Sequence, residues 1–444
     1  MIPIKAYSER RRHLASQMSR GVAIVPTAPE RVRNRDSYYS YRFDSYFYYL
    51  TGFTEPEAVL VMVANGDEAE PKHILFCRDK DLEQEIWNGF RYGPDAAREA
   101  FGFDEAYSIF KLDEMLPKLL ENQPAVFCAL GRDTEWDTRI TGWINRVRQR
   151  ARNGVTAPGQ IHDIRLLLDE MRLFKSAEEL QIMRRAAEIS AGAHRRAMRE
   201  TKPGMFEYEV EAELLHEFRT HGAQAPAYTS IVAAGANACV LHYVENNARL
   251  KDGDLLLIDA GCELDGYASD ITRTFPVDGR FSPAQKDLYQ LVLAAQAEAI
   301  AAVRPGNAWN APHEAALRVL AQGFIDFGLC RGSVDQVLQS EDYKRFYMHR
   351  TGHWLGLDVH DAGEYKVDGE WRPLRPGMTL TVEPGCYVRP ADNVPQHFWN
   401  IGIRIEDDVV VTEGGCEVLT SAAHKTVAEI EELMQDRKID ASGR

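Results

Sequence analysis

No stretch of the 444 residues approaches the roughly 20 consecutive apolar side chains that a bilayer-crossing helix needs, so no membrane partner is expected. The opening segment, MIPIKAYSERRRHLASQ, has no apolar core of the kind a secretory signal carries. Cysteine is sparse, with seven residues at Cys77, Cys128, Cys239, Cys262, Cys330, Cys386 and Cys416. Their number is odd, their spacing is wide and no CxxC occurs. That pattern argues against a disulfide scaffold or a zinc–thiolate site and fits buried free thiols in a reducing cytoplasm. Positive charge is in deficit too: 52 Lys and Arg stand against 67 Asp and Glu, a formal charge of −15. Without a long basic run, nucleic acid is not the expected partner, and the net charge serves solubility. Internal repeats and low-complexity tracts are also missing.

The remaining composition is that of an ordinary globular protein, 45% apolar and 27% charged, long enough for two domains with separate cores. In the first half VAIVPT, EAVLVMVA, HILFCR and PAVFCALG read as strands, while DLEQEIW and KLDEMLPKLLENQ read as wholly or partly helical. Near residue 170 the texture changes. Ser176-Ala177-Glu178-Glu179 is a capping box that opens a long amphipathic helix, ended by Pro203-Gly204. Ser282-Pro283-Ala284-Gln285 marks a second helix start, with Pro at the first helical position. DLLLIDAGC, YASDITRTFPV, MTLTVEPGC and IGIRIEDDVVV are strand signals. The expected organisation is an α/β domain over 1–172 and an α+β domain over 173–444, the latter with antiparallel strands and long helices packed on one side.

Residues 349 to 361 read HRTGHWLGLDVHD, with His349, His353 and His360 close together. No Glu follows His349, so this is not the HExxH zinc helix, and partners must come from elsewhere. One source is DLLLIDAGCELDGYASDITRTF. If Glu263-Leu264-Asp265-Gly266 is a four-residue loop, Cys262 pairs with Tyr267 and Asp259 falls opposite Asp270, about 5 Å apart at Cβ. A two-residue loop at Asp265-Gly266 shifts the register by two and keeps both acids on one face; a three-residue loop separates them. Two facing carboxylates repel, and Asp259 ends the apolar run LLLI, so a compensating cation is the favoured reading over two solvated acids. Glu383 ends TLTV. In IGIRIED, Gly402, Arg404 and Glu406 share a face, which taken alone also fits a surface ion pair. Asp259, Asp270, Glu383 and Glu406 carry four negative charges, which two divalent ions balance; a neutral His353 completes the set. Such an oxygen-rich site suits Mn²⁺, with Co²⁺ or Zn²⁺ as substitutes.

The order Asp259, Asp270, His353, Glu383, Glu406 resembles the metal-ligand pattern of the pita-bread metallopeptidases, which include methionine aminopeptidase, prolidase and aminopeptidase P. HRTGHWLGLDVHD is similar to the signature of the proline-directed branch, and NRDSYYSYRFDSYFYYLTGFTEPEAVLVM to the N-terminal domain of the aminopeptidase P group, which methionine aminopeptidases lack. The resemblance covers about residues 5 to 430. It implies an α/β N-terminal domain plus an α+β pita-bread (creatinase/aminopeptidase-like) catalytic domain. It also implies that Asp259 chelates one metal, that Asp270 and Glu406 bridge two, and that His353 and Glu383 complete the coordination of the second metal. Arg404 and Tyr387 would form a polar network beside them; His242 would line the site near the leaving residue, and His349 and His360 would hydrogen-bond substrate. His13, His73, His194, His216, His221 and His424 are read as structural.

The activity implied is release of the N-terminal residue from peptides with proline at position two, by attack of a metal-bridging hydroxide. Glu383 would relay the proton, and His349 or His360 would stabilise the oxyanion. The resemblance further implies a homo-oligomer, dimer or tetramer, in which Trp87 reaches a neighbour's pocket; an ordinary core or interface tryptophan is the alternative. Prolidase, acting on Xaa-Pro dipeptides, shares the same ligands. A non-catalytic pita-bread binding protein is the reading from another class, and it usually lacks ligands that are all present here.

Overall fold

The computed structural model describes residues 2–66 and 69–441. Its contacts divide the chain into two units, Met1–Arg172 and Leu173–Arg444. The first is built on a six-stranded mixed sheet. In spatial order its strands are Glu105–Ser108, Lys72–Cys77, Val59–Asn65, Arg20–Pro26, Ala125–Cys128 and Gln160–Asp163. The central strands are continuous apolar runs, as expected where both faces of a sheet are covered. Val22, Ile24, Val61, Ile74, Phe76 and Val126 meet Leu116 and Trp143 from flanking helices in one core. DLEQEIW forms the helix Leu82–Asn88, started by the Asp81 carboxylate, which accepts from the Glu83 and Gln84 N–H groups. KLDEMLPKLLENQ is helical only over Leu112–Leu119.

The second unit carries short antiparallel sheets and long helices. Ser176 and Glu179 exchange both capping-box hydrogen bonds at the start of Ala177–Glu200, and Ser282 with Gln285 does the same for Pro283–Ala302. Side chains from these helices, and from Glu207–Thr220 and Ala311–Asp326, pack with those of the strands in one large apolar core. Three sheets matter for the site. Ile231–Ala234, Leu255–Asp259 and Thr272–Pro276 form one; Thr379–Val382, Asp407–Thr412 and Gly415–Val418 a second; Gly385–Val388 and Ile401–Arg404 a third.

Of the hairpin lengths left open by the sequence after Asp259, the two-residue turn at Asp265-Gly266 is the one that forms. Leu264 pairs with Tyr267, and Asp259 pairs with Thr272, not with Asp270. Asp265 and Gly266 both have positive φ, 48° and 83°, the backbone that a tight primed turn requires and that Gly and Asp tolerate best. One sequence expectation is corrected: the run IGIRIEDDVVV is not one strand. It breaks after Arg404, and Asp407–Thr412 pairs in a different sheet. Ile405 and Glu406 lie at the junction, where the Glu406 N–H donates to Thr272 O at 3.0 Å.

Candidate active site

A cavity of about 440 Å³ opens where these sheets converge. The ends of the strands deliver the acids. Asp259 closes the strand Leu255–Asp259, and Asp270 lies two residues before the strand that pairs with it. Glu383 follows Thr379–Val382, and Glu406 follows Ile401–Arg404. His353 arrives on a segment laid along Thr379–Val382: Thr381 N–H donates to His353 O at 3.0 Å, and Glu383 N–H to Thr351 O at 2.8 Å. That approach needs a glycine before His353, because a Cβ on Gly352 would stand 2.0 Å from Thr381 O. Asp259, Asp270, His353, Glu383 and Glu406 all line the cavity, with His242, His349, His360 and Arg404. Tyr387 stands just behind them. Trp87 does not line this cavity; it lies in the first unit and is 81% exposed.

The hydrogen bonds give direction to the set. Arg404, 4% exposed, donates to Asp259 Oδ2 at 2.6 Å, to Thr272 Oγ1 at 3.1 Å and to the Tyr387 hydroxyl at 3.0 Å. The surface ion pair between Arg404 and Glu406, open from the strand pattern alone, is therefore not what forms. Thr272 Oγ1 donates in turn to Glu406 Oε2 at 2.6 Å. His349 Nδ1 meets Arg350 O at 2.7 Å and its Nε2 meets the Tyr387 hydroxyl at 2.8 Å, so both ring nitrogens are engaged. With Arg404 donating to Tyr387, the consistent assignment has Tyr387 donating to His349 Nε2. His353 Nδ1 lies 2.9 Å from Trp354 O, which fixes that nitrogen as the N–H and turns Nε2 toward Asp270 Oδ2 at 3.4 Å and Glu383 Oε1 at 3.8 Å.

Sequence reasoning missed several members. Tyr228 donates to Asp259 Oδ1 at 2.6 Å and also contacts Asp270 Oδ1. Thr272 links Arg404 to Glu406, as above. Behind His349, His313 Nδ1 meets Thr351 Oγ1 at 2.8 Å, and the Tyr347 hydroxyl meets the same atom at 2.6 Å. None of these residue types is distinctive in the chain, and no local spacing marks them.

Protonation follows from burying so many acids together. Burial raises the Glu406 carboxyl well above its usual range, and the charges of Asp270, Glu383 and Asp259 push the same way. Burial lifts Glu383 to about 7, against the pull of His353 and Arg404. Burial also raises Asp259, opposed by Arg404. For Asp270 burial is outweighed by its contact with His353, and the carboxyl falls. His353 is its counterpart: burial lowers it, but Asp270 and Glu383 bring it up to about 9. His349 is held down at about 3 by burial and the Arg404 charge, and is neutral. Protons thus stand in this cluster where cations would relieve the same repulsion.

Two family models match the chain: Metallopeptidase family M24 over residues 181–413, and Aminopeptidase P, N-terminal domain, over residues 7–127. The chain belongs to metallopeptidase family M24. Among relatives of this M24 chain, the Xaa-Pro aminopeptidase of Escherichia coli is 46% identical over 429 residues, covering 96% of the chain and 97% of the relative. That of Haemophilus influenzae is 45% identical over 434 residues, 98% of each. The solved structure of Pseudomonas aeruginosa aminopeptidase PepP matches with a TM-score of 0.96 at 54% identity, over 99% of both chains. The protein is a metallopeptidase, a hydrolase, and its M24 half is the pita-bread catalytic domain behind an aminopeptidase P N-terminal domain. M24 membership implies divalent metal ions. The donor set fits them: Asp270, His353 and Glu406 each present a ligand atom, all within 4.8 Å of one another, and the Nε2 of His353 faces the acids.

Proposed function

We propose that the protein is an Xaa-Pro aminopeptidase, releasing the N-terminal residue of peptides whose second residue is proline. The observation that carries this reading is the convergence of five candidate ligands with His242, His349 and His360 on one cavity. Relatives named Xaa-Pro aminopeptidase match over the whole chain, N-terminal domain included, which favours this activity over prolidase.

Asp259, Asp270, His353, Glu383 and Glu406 would hold two divalent ions, and the oxygen-rich set with one imidazole points to Mn²⁺. Co²⁺ and Zn²⁺ are the substitutes; the E. coli aminopeptidase P has been solved in a Zn-substituted form with product. When bound, the pair supplies Lewis acidity toward the scissile carbonyl and lowers the pKa of a nucleophilic water. The chain's own groups do the rest. Glu383, poised between proton acceptor and donor, carries the proton to the leaving nitrogen. His349 holds no unengaged N–H, so the oxyanion role passes to His360, with its ring exposed at the cavity; such a donor is worth roughly 3–4 kcal/mol. Arg404 and Tyr387 orient Asp259 and His349, and the substrate's α-amine is anchored at Asp259. An Xaa-Pro bond has no N–H on its leaving side. The apolar wall of Ile231, Leu241, Val244 and Val359, with His242 beside it, takes the ring without asking for that donor.

The protein acts in the cytoplasm as a homo-oligomer, dimer or tetramer. All seven cysteines are free, and no helix among the described residues is long and apolar enough to cross a membrane. Leu82, Ile86, Trp87 and Phe90 are 64% or more exposed, an apolar face suited to a second subunit, whose pocket Trp87 would enter. The test is hydrolysis of Arg-Pro-Pro against Gly-Pro by Mn²⁺-loaded protein, with and without EDTA. Cleavage of the tripeptide that EDTA abolishes is expected. Activity confined to Gly-Pro would reassign the protein as a prolidase, and activity indifferent to EDTA would remove the metal from the reaction.

A further inference from the structure

Residues 235–248 follow the strand Ile231–Ala234 with a single 3-10 turn, Gly235–Cys239, and no further helix or strand. Leu241, His242 and Val244, which line the cavity, ride on this loop. A loop without ladder partners must satisfy its polar groups elsewhere. Here three of them, with the N–H of Ala234 at the end of the strand, go to one side chain. Glu207, the first residue of the helix Glu207–Thr220, is 0% exposed. Its Oε1 accepts from Ala234 N–H at 2.7 Å and Asn237 Nδ2 at 3.1 Å. Its Oε2 accepts from the Tyr243 hydroxyl and from Ala248 N–H, each at 2.8 Å. The two oxygens therefore tie the beginning of the loop to its end, and Tyr243 is the neighbour of His242. The Glu207 N–H returns a hydrogen bond to Ala248 O at 3.0 Å. Asn246, at φ 47°, pins the same loop to Ser230 O at 2.8 Å and to Glu211 at 3.1 Å.

We infer that Glu207 is a positioning residue: it closes residues 234–248 into one compact loop and so fixes His242 at the rim of the cavity. The inference rests on the substrate role proposed above for His242. An amide in place of the carboxylate turns an NH₂ group toward donors on one side, so the loop loses a tie at its start or at its end. A shift of about 1 Å far from the chemistry costs on the order of 100-fold in rate.

The test is a double-mutant cycle of Glu207→Gln with His242→Ala in the full-length, Mn²⁺-loaded protein. It reads kcat/KM on Arg-Pro-Pro and thermal melting side by side. Glu207→Gln should lower kcat/KM roughly 10- to 100-fold in the native background and add little in the His242→Ala background, while its effect on melting is the same in both. Multiplying kinetic losses would overturn the inference, as would a folded Glu207→Gln with unchanged kinetics. A silent His242→Ala beside a damaging Glu207→Gln removes the proposed role of His242 itself, and the inference with it. Should Glu207→Gln fail to fold, Tyr243→Phe, which deletes one of the four bonds, replaces it in the same cycle. A kinetic loss that disappears in the His242→Ala background then supports the inference, and one that multiplies overturns it.

Discussion

Removing the ammonium of Lys175 should destabilise the M24 unit more than a change at any surface charge. Lys175 Nζ lies 2.9 Å from Asp361 Oδ2, and both side chains are 1% exposed. The pair has little room to rearrange. Asp361 Oδ1 accepts from Asp358 N–H at 3.3 Å, Asp361 N–H donates to Trp354 O at 2.9 Å, and a Cβ on Gly356 would stand 2.2 Å from Asp361 Oδ2. The stretch from Trp354 to Asp361 is thus folded around the carboxylate, and it carries Val359 and His360 to the cavity. Lys175→Met keeps the apolar stem and removes the ammonium from this buried ion pair. Breaking a buried pair from one side costs about 3–5 kcal/mol. At roughly 2–4 °C per kcal/mol for a domain of this size, the melting temperature should fall by about 6–20 °C. Asp361→Asn should cost a comparable amount, and the double variant less than the sum, because both single losses count the same contact. Urea denaturation of the four proteins at pH 7 gives the coupling directly. A Lys175→Met protein within about 1 kcal/mol of the parent, or strictly additive losses, would refute the reasoning, since either means that water or a shifted loop already shields the carboxylate.

Stability should also depend on pH through His73. Burial, with the Arg11 charge, lowers its imidazole to about 4, against Asp104, and its Nε2 is buried without a hydrogen-bond partner. The unfolded chain takes up this proton near pH 6.5 and the folded one only near 4, so stability is complete above about pH 6.5 and is lost as pH falls through that window, by up to about 3 kcal/mol. His73→Asn should flatten the urea midpoint between pH 4 and 6.5 relative to the parent; an unchanged slope would assign that loss to other groups. Gly352→Ala sets a methyl 2.0 Å from Thr381 O, a backbone atom that cannot swing away. It should displace His353, lowering bound Mn²⁺ per chain as well as the melting temperature, with an overpacking cost of about 1–3 kcal/mol. A variant that keeps its metal content shows that the two segments can part without moving the imidazole.

What could be read along the chain was whatever is decided within a few residues. Ser176 with Glu179, and Ser282 with Gln285, start helices because a hydroxyl and an acid or amide three residues on satisfy each other's N–H groups locally. Asp259 stood out because it ends the apolar run LLLI, where an unpaired charge is costly, and Glu383 because it ends the strand signal TLTV. The tertiary structure decided the rest. The register of the Asp259 hairpin depended on two residues accepting positive φ, which composition permits but does not compel. IGIRIEDDVVV divides between two sheets because Gly385–Val388 and Thr379–Val382 each capture one half of it. Nothing local marks Tyr228, Thr272, Glu207 or Lys175. Their partners Asp259, Glu406, Ala234 and Asp361 lie between 27 and 186 residues away in sequence, and hydrogen bonds at that separation exist only once packing has excluded water from both ends.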